Sequence, residues 1–429
     1  MTVFTVHTDL LFDSKKKEFV KDISIIIDGD TGLITEVVER KNALPDSIHS
    51  PDVDLRGKVV CPGFVDAHTH IFLHAYDEAP SVVQKRDESF VERIVRAVNH
   101  CRLGLMAGYT TYRDLGSESM KEADANIRDA INRGLTPGPR LFVATRVIAS
   151  TAAYEPRTEN HLGGTCVPAG CDSADGADEL RKAVRRRIGH GADVIKFYAD
   201  YYRRVMRFPP KQQHPYIPSM RFQPVDPNPD LVVFQDEEMD AIVSEANLAK
   251  APTVAHADSK EGILAAARAG VLSIEHASRA GEEGLRLMKD KGVIFVPTMA
   301  IFELILQERF GKVVENLQLA HKLGVRLACG GDTGTFPHGE NAREMEIFIE
   351  AGISVEDTLE AGTVGGWEAC GGDLCGRRFG WFEEGCAADI IALDTDPRED
   401  PKALRKVSFV MKDGRIWKQD NEPVDLFSP

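Results

Sequence analysis

Six side chains of metal-binding type recur where short apolar runs end. His68 and His70 close PGFVDAHTH, His256 closes PTVAHA and His276 closes LSIEHA; Asp332 follows LACGG, and Lys196 sits inside DVIKFYA. Residues two apart on a strand point to one face, so His68 and His70 can offer two imidazoles to one ion. Packing and surface histidines also occur as H-x-H. A lysine between Ile195 and Phe197 on a buried strand is costly as an isolated ammonium. Either it is salt-bridged or snorkelling, or burial lowers its pKa so that neutral amine is present. A neutral amine can add CO2 to give a carbamate, whose two oxygens could bridge two cations. His256 and His276 each read alone as satisfied core histidines, and Asp332 before Thr333-Gly334 as a turn cap. Jointly they fall on one ring. Four of the thirteen histidines, with Lys196 and Asp332, lie at the C-terminal ends of strands or inside them. That is the face where barrel enzymes build their sites.

The elements that must hold this ring are legible as alternation. Apolar, β-branched runs recur at Val59–Val65, Tyr109–Asp114, Leu141–Ile148, Val194–Tyr198, Thr253–His256, Ser273–His276, Ile294–Pro297 and Arg326–Cys329. Amphipathic stretches separate most of them: Ser89–Leu105, Ser119–Arg133, Ala177–Gly189, Glu237–Ala249, Lys260–Ala269, Glu282–Lys291, Glu303–Leu323 and Glu340–Glu350. Eight strand–helix units predict an α/β fold, a (β/α)8 barrel over residues 59–376. An open doubly wound sheet is the alternative, but no Gly-rich phosphate loop follows the first strand. Residues 1–58 and 377–429 read instead as short alternating strands, with a turn at Asp413-Gly414, and predict one small β-sandwich domain built from both termini. Two connections, Ser150–Asp175 and Asp200–Val232, are long for βα loops, and the second carries seven prolines within Pro209–Pro229. They are surface decoration, an oligomer contact or a lid.

Composition narrows the classes. With 52 basic and 67 acidic residues the formal charge is −15, which argues against a phosphate-backbone binder, so no nucleic-acid partner is expected. The opening MTVFTVHTDLL lacks a basic n-region and a sustained apolar stretch, and no run is long enough to span a membrane. None of the eight cysteines forms C-x-x-C, which fits free thiols in a reducing, cytoplasmic setting.

PGFVDAHTH, the lysine of VIKF, VAHA, IEHAS and GGDTG resemble the amidohydrolase superfamily in its binuclear, lysine-carboxylated subtype. With TTYRDLGS and HADSKEGILAAARAGVLSIEHAS, they are most similar to its branch of ochratoxinase-like, Xaa-Pro dipeptidase-like and imidazolonepropionase-like enzymes. The resemblance covers nearly the whole chain. It implies two Zn2+ ions, with Mn2+ or Co2+ also suited to the ligand types. His68, His70 and Asp332 would hold one ion, and His256 and His276 the other. A CO2-derived carbamate on Lys196 and a hydroxide would bridge them. Asp332 would move protons, and the ion on His256 and His276 would stabilise an oxyanion. The implied reaction is hydrolysis of an amide that leaves a C-terminal amino acid, in N-acyl amino acids, dipeptides or ochratoxin A. Tyr198, His161, His214 and His338 are candidate substrate contacts, each at least as readily read as a solvated loop residue. The resemblance also implies a homo-oligomer, an octamer. The competing activities are deamination and hydrolysis of a cyclic, imidazolone-type amide. Deaminases of this scaffold resemble a single-metal site without the strand-four lysine and often carry Glu three residues after the fifth-strand histidine. Here that position is Ser259. A non-catalytic assembly protein would have lost ligands, and all six positions are filled.

Overall fold

Strands from both ends of the chain pair in one sheet, here in a computed structural model that describes residues 3–151, 168–202, 216–217 and 230–424. Val3–Asp13 and Glu18–Asp28 form an antiparallel hairpin, extended on one side by Leu33–Glu39. Val59–Pro62 lies parallel to the first of these and antiparallel to Ile390–Leu393. Val407–Lys412 and Arg415–Gln419 complete the far half. The sheet turns back on itself, so that Leu33 bridges Ala387. Ile23, Ile25 and Ile27, two apart, point inward to meet Ile390, Phe409 and Met411 as the sandwich core. The turn expected at Asp413-Gly414 is present. Both residues have positive φ, 51° and 72°, as a two-residue type I′ turn requires.

The middle of the chain closes into the expected barrel. Phe64–Thr69 pairs parallel with Tyr109–Asp114, and that with Arg140–Val143. Val147–Ala149, Ile195–Tyr198, Thr253–Ala257, Ser273–His276 and Ile294–Val296 follow in parallel order. An extended eighth segment shuts the ring. Leu327 bridges Phe295, the Ala67 amide donates to the Cys329 carbonyl at 2.9 Å, and Thr333 bridges Thr69. Gly330 is required at this seam, because a Cβ there would lie 2.6 Å from the His68 amide nitrogen. Nearly every strand residue is buried, as expected for a parallel sheet covered by helices.

Several boundaries differ from the sequence reading, each for a local reason. The run Val59–Val65 divides at Pro62-Gly63, so its first half belongs to the terminal sheet. Leu141–Ile148 divides at Thr145, whose φ is +58° and whose amide donates to buried Asp124 instead of a neighbouring strand. Glu303–Leu323 is two helices, Met299–Leu306 and Phe310–Leu323, broken where Gln307 takes a φ of +41°. Two further helices, Val355–Ala361 and Val364–Ala369, follow the last helix expected from the sequence. The ends of the long Asp200–Val232 insertion are tied together, since Asp200–Tyr202 and Asp230–Val232 pair antiparallel. Among the described residues all seven cysteines are free, and no helix is long and apolar enough to cross a membrane.

Candidate metal centre

The barrel carries the six residues to one place. His68 lies in the first strand and His70 one residue beyond it; Lys196 lies in the fourth, His256 in the fifth, and His276 ends the sixth. The rings of His68 and His70 stand 5.4 Å apart, those of His68 and His276 5.1 Å, and those of His256 and His276 4.6 Å. Asp332 Oδ1 is 3.3 Å from His70 Nε2 and 3.7 Å from His68 Nε2. His68, His276 and Asp332 can each turn one ligand atom to within 4.8 Å of the others. His276 and Asp332 hold positive φ of 72° and 63°, and Thr298, which supports His276, 52°. Non-glycine residues there are strained by about 1 kcal/mol or more, a cost that clusters at working sites.

The histidine protons are already committed. His68 Nδ1 is 2.7 Å from Glu275 Oε2, His70 Nδ1 donates to the Gly116 carbonyl at 3.1 Å, and His276 Nδ1 lies 2.8 Å from the Thr298 hydroxyl. A neutral imidazole bonded through Nδ1–H presents Nε2 as a lone pair. The His68 Nε2 lone pair therefore faces a carboxylate oxygen, with His70 Nε2 3.3 Å from the same oxygen. Lys196 Nζ and Asp332 Oδ1 are both buried without a hydrogen-bond partner. That donor set fits divalent cations.

Ionisation follows the same geometry. Burial lowers Lys196 to about 8. Burial, with Lys196 beside it, depresses His68 to about 4 and carries His256 and His276 well below the ordinary range. Burial would depress His70 as well, but Asp332 and Glu118 outweigh it and lift the group to about 9. Burial opposes the charge of Asp332, yet the histidines and Lys196 hold its carboxyl down at about 2.

Of the proposed substrate contacts, Tyr198 stands over the cluster, its ring 4.7 Å from that of His256. His161 and His214 fall outside the described residues. His338 is buried rather than loop-exposed. It stacks on His100 at 4.2 Å with Nε2 3.2 Å from the Leu73 carbonyl, so packing accounts for it and substrate contact does not. Ser259 caps the helix Lys260–Ala269, accepting from the Gly262 amide at 3.1 Å, and donates to Asp200 at 2.6 Å.

Sequence reasoning missed several neighbours of the cluster. Arg113 and Glu275 form a fully buried ion pair at 2.9 Å. Lys85 and Glu118 form another, and Glu118 Oε1 reaches to 3.6 Å from His70 Nδ1. Tyr201 and Phe302 add aromatic walls, 5.8 Å from His256 and 6.0 Å from His276. The signal that singled out Lys196, a charge inside a buried strand, is equally present at Arg113 in TTYRDLG and Glu275 in LSIEHAS.

A barrel capped by a sandwich from both termini, with imidazoles, a lysine and an aspartate at its mouth, agrees with comparison to known proteins. The Amidohydrolase family profile matches residues 59–417. The chain belongs to the amidohydrolase family, and it is a metal-binding hydrolase of amide-type C–N bonds, with His68, His276 and Asp332 clustered at the barrel mouth. Ochratoxinase of Aspergillus niger is 31% identical over 403 residues, covering 85% of this chain and 76% of that protein. Its crystal structure superposes with a TM-score of 0.79 at 27% identity, covering 100% of both chains. A Xaa-Pro dipeptidase with methionine bound in its active site gives 0.79 at 27% identity, over 97% of this chain and all of the other. Imidazolonepropionase of Geobacillus thermodenitrificans is 22% identical over 410 residues, 88% of this chain and 86% of its own.

Proposed function

We propose that this amidohydrolase holds two divalent cations, Zn2+ by ligand type with Mn2+ or Co2+ as substitutes, and releases a C-terminal amino acid from small amides. Its substrates are N-acyl amino acids or dipeptides, with ochratoxin A as a test case. One observation carries the reading: Lys196 offers a buried amine beside the histidines and Asp332, and its Nζ has no hydrogen-bond partner there. Carboxylation would convert it into an anion with two donor oxygens. The Nζ lone pair forms the N–C bond to CO2 and the amine gives up a proton to solvent. His68, His70 and Asp332 would hold one ion, His256 and His276 the other, and the Lys196 carbamate would reach both. When bound, such a pair supplies a water of lowered pKa and polarises the scissile carbonyl.

The chain's own groups do the rest. Asp332 is poised to take a proton from the attacking water and return it to the leaving amine. Tyr198 sits beside His256 on the fourth-strand side, where its ring can pack against substrate and its hydroxyl can meet a carbonyl or carboxylate. The methionine in the similar dipeptidase is a free amino acid, the kind of product proposed here. Deamination is disfavoured, because Ser259 is committed to a helix cap and Lys196 is in place.

The test is release of free amino acid by zinc-loaded protein from a panel of N-acyl amino acids, dipeptides and ochratoxin A. Hydrolysis of at least one member is expected, and no release from any would sink the reading. Lys196→Ala should lose metal and activity together. An unaffected variant would overturn the bridging role.

A further inference from the structure

We propose that Arg113 and Glu275 are positioning residues for the metal centre, a buried ion pair that clamps the His68 ring with its Nε2 turned to Asp332. The inference rests on reading this ring as a metal centre. Arg113 comes from the second strand and Glu275 from the sixth, and both side chains are 0% exposed. Glu275 has no idle oxygen. Oε1 accepts from Arg113 at 2.9 Å and from the Ser273 hydroxyl at 2.6 Å, while Oε2 takes the His68 Nδ1 proton at 2.7 Å. Arg113 is equally occupied. Nη1 donates to Ser273 Oγ at 2.9 Å and to the Ala369 carbonyl at 2.8 Å, and Nε donates to the Ala67 carbonyl at 2.6 Å.

Ala67 immediately precedes His68. Arg113 thus holds the histidine twice, through the backbone before it and through Glu275 at its ring. A planar guanidinium with fixed forks is suited to such a clamp. Fold stability alone does not explain it, since a well-packed apolar pair commonly serves as well as a buried ion pair or better. What the pair adds is direction. The ring can neither flip nor change tautomer without breaking a charge-assisted hydrogen bond. His276 has a different support, a neutral threonine hydroxyl. The clamp therefore acts on one side of the centre only.

The experiment is zinc binding by metal-free protein in competition with a chromophoric chelator, for wild type and Glu275→Gln. Wild type is expected to take up two ions. In Glu275→Gln one ion should weaken by about 10–100-fold while the other stays within about threefold. A merely structural role would lower the melting temperature of the metal-free protein and leave the ratio of the two affinities unchanged. That ratio is the deciding readout: equal weakening of both ions, or no weakening, overturns the proposal. Glu275→Gln leaves the Arg113 cation uncompensated, so Arg113→Met/Glu275→Gln is the companion variant, and the same one-sided loss is expected of it. A wild type that binds two ions but cleaves nothing on the amide panel would defeat the substrate reading and leave the clamp standing. A wild type that binds no ions defeats both.

Discussion

The two halves of the metal-type ring are built differently. On the side of strands one and eight, His68 and His70 face Asp332, and Glu275 and the Lys85–Glu118 pair lie just behind. On the side of strands five and six, His256 and His276 are neutral rings among Tyr198, Tyr201 and Phe302, and the Thr298 hydroxyl supports His276 Nδ1. The first side confronts a cation with fixed negative charge, whereas the second offers nitrogen lone pairs and aromatic surface. An ion on the first side should be held harder. One on the second should more readily exchange a coordination position, next to the surface best suited to an apolar part of a substrate.

The largest expected effect comes from removing the charge that defines the first side. Asp332→Asn keeps the shape but loses the anion and the proton acceptor, so amide hydrolysis should fall by ~10³-fold. Zinc content, measured on the same preparation, should drop on one ion before the other. Retained activity would show that the asymmetry does not serve the chemistry. Thr298→Val addresses the opposite side. It removes the partner of His276 Nδ1 without adding charge, and about a tenfold loss of affinity for the weaker ion is expected in a zinc titration. If the tighter ion suffers instead, the comparison is inverted. Tyr198→Leu deletes aromatic surface alone. KM for an aromatic N-acyl substrate should rise a few-fold, consistent with about 1 kcal/mol for an aromatic contact, with metal content unchanged.

This asymmetry was half legible in the sequence. Its six residues were found because each breaks or ends an apolar run, a pattern that a strand of period two makes interpretable. Their convergence follows from parallel strands closing a barrel, which puts every strand end on one rim. The supports were harder to see. Arg113 and Glu275 break buried strands just as Lys196 does, but each lies beside a motif residue that drew the interpretation. Thr298 and Phe302 were not legible at all. They meet His276 only because the chain turns sharply at a positive φ after strand seven, and no periodicity encodes that turn. His338 was misplaced for the opposite reason: its position after strand eight suggested the barrel mouth, yet a stacking partner on a distant helix draws it inward. The split strands at Gly63 and Thr145 show the same limit, since a continuous apolar run hides where hydrogen bonding changes partner.

The last effect, on stability and not on activity, concerns what lies beneath the neutral side. Glu344 accepts from the Ala300 amide at 2.8 Å, at the start of the helix that follows Thr298. Burial raises its carboxyl from 4.5 to about 8, so the folded chain keeps it protonated where the unfolded chain would ionise it. Between those values the folded state binds the extra proton, and stability must therefore fall as pH rises from about 4.5 to about 8. The contribution is on the order of a few kcal/mol at most. Glu344→Gln retains the acceptor for Ala300 and cannot ionise. Thermal denaturation of the metal-free variant should decline less from pH 5 to pH 8 than that of wild type, with little change at pH 5. Parallel curves would mean that Glu344 is ionised in the fold, and that the strand-seven support beside His276 carries a negative charge after all.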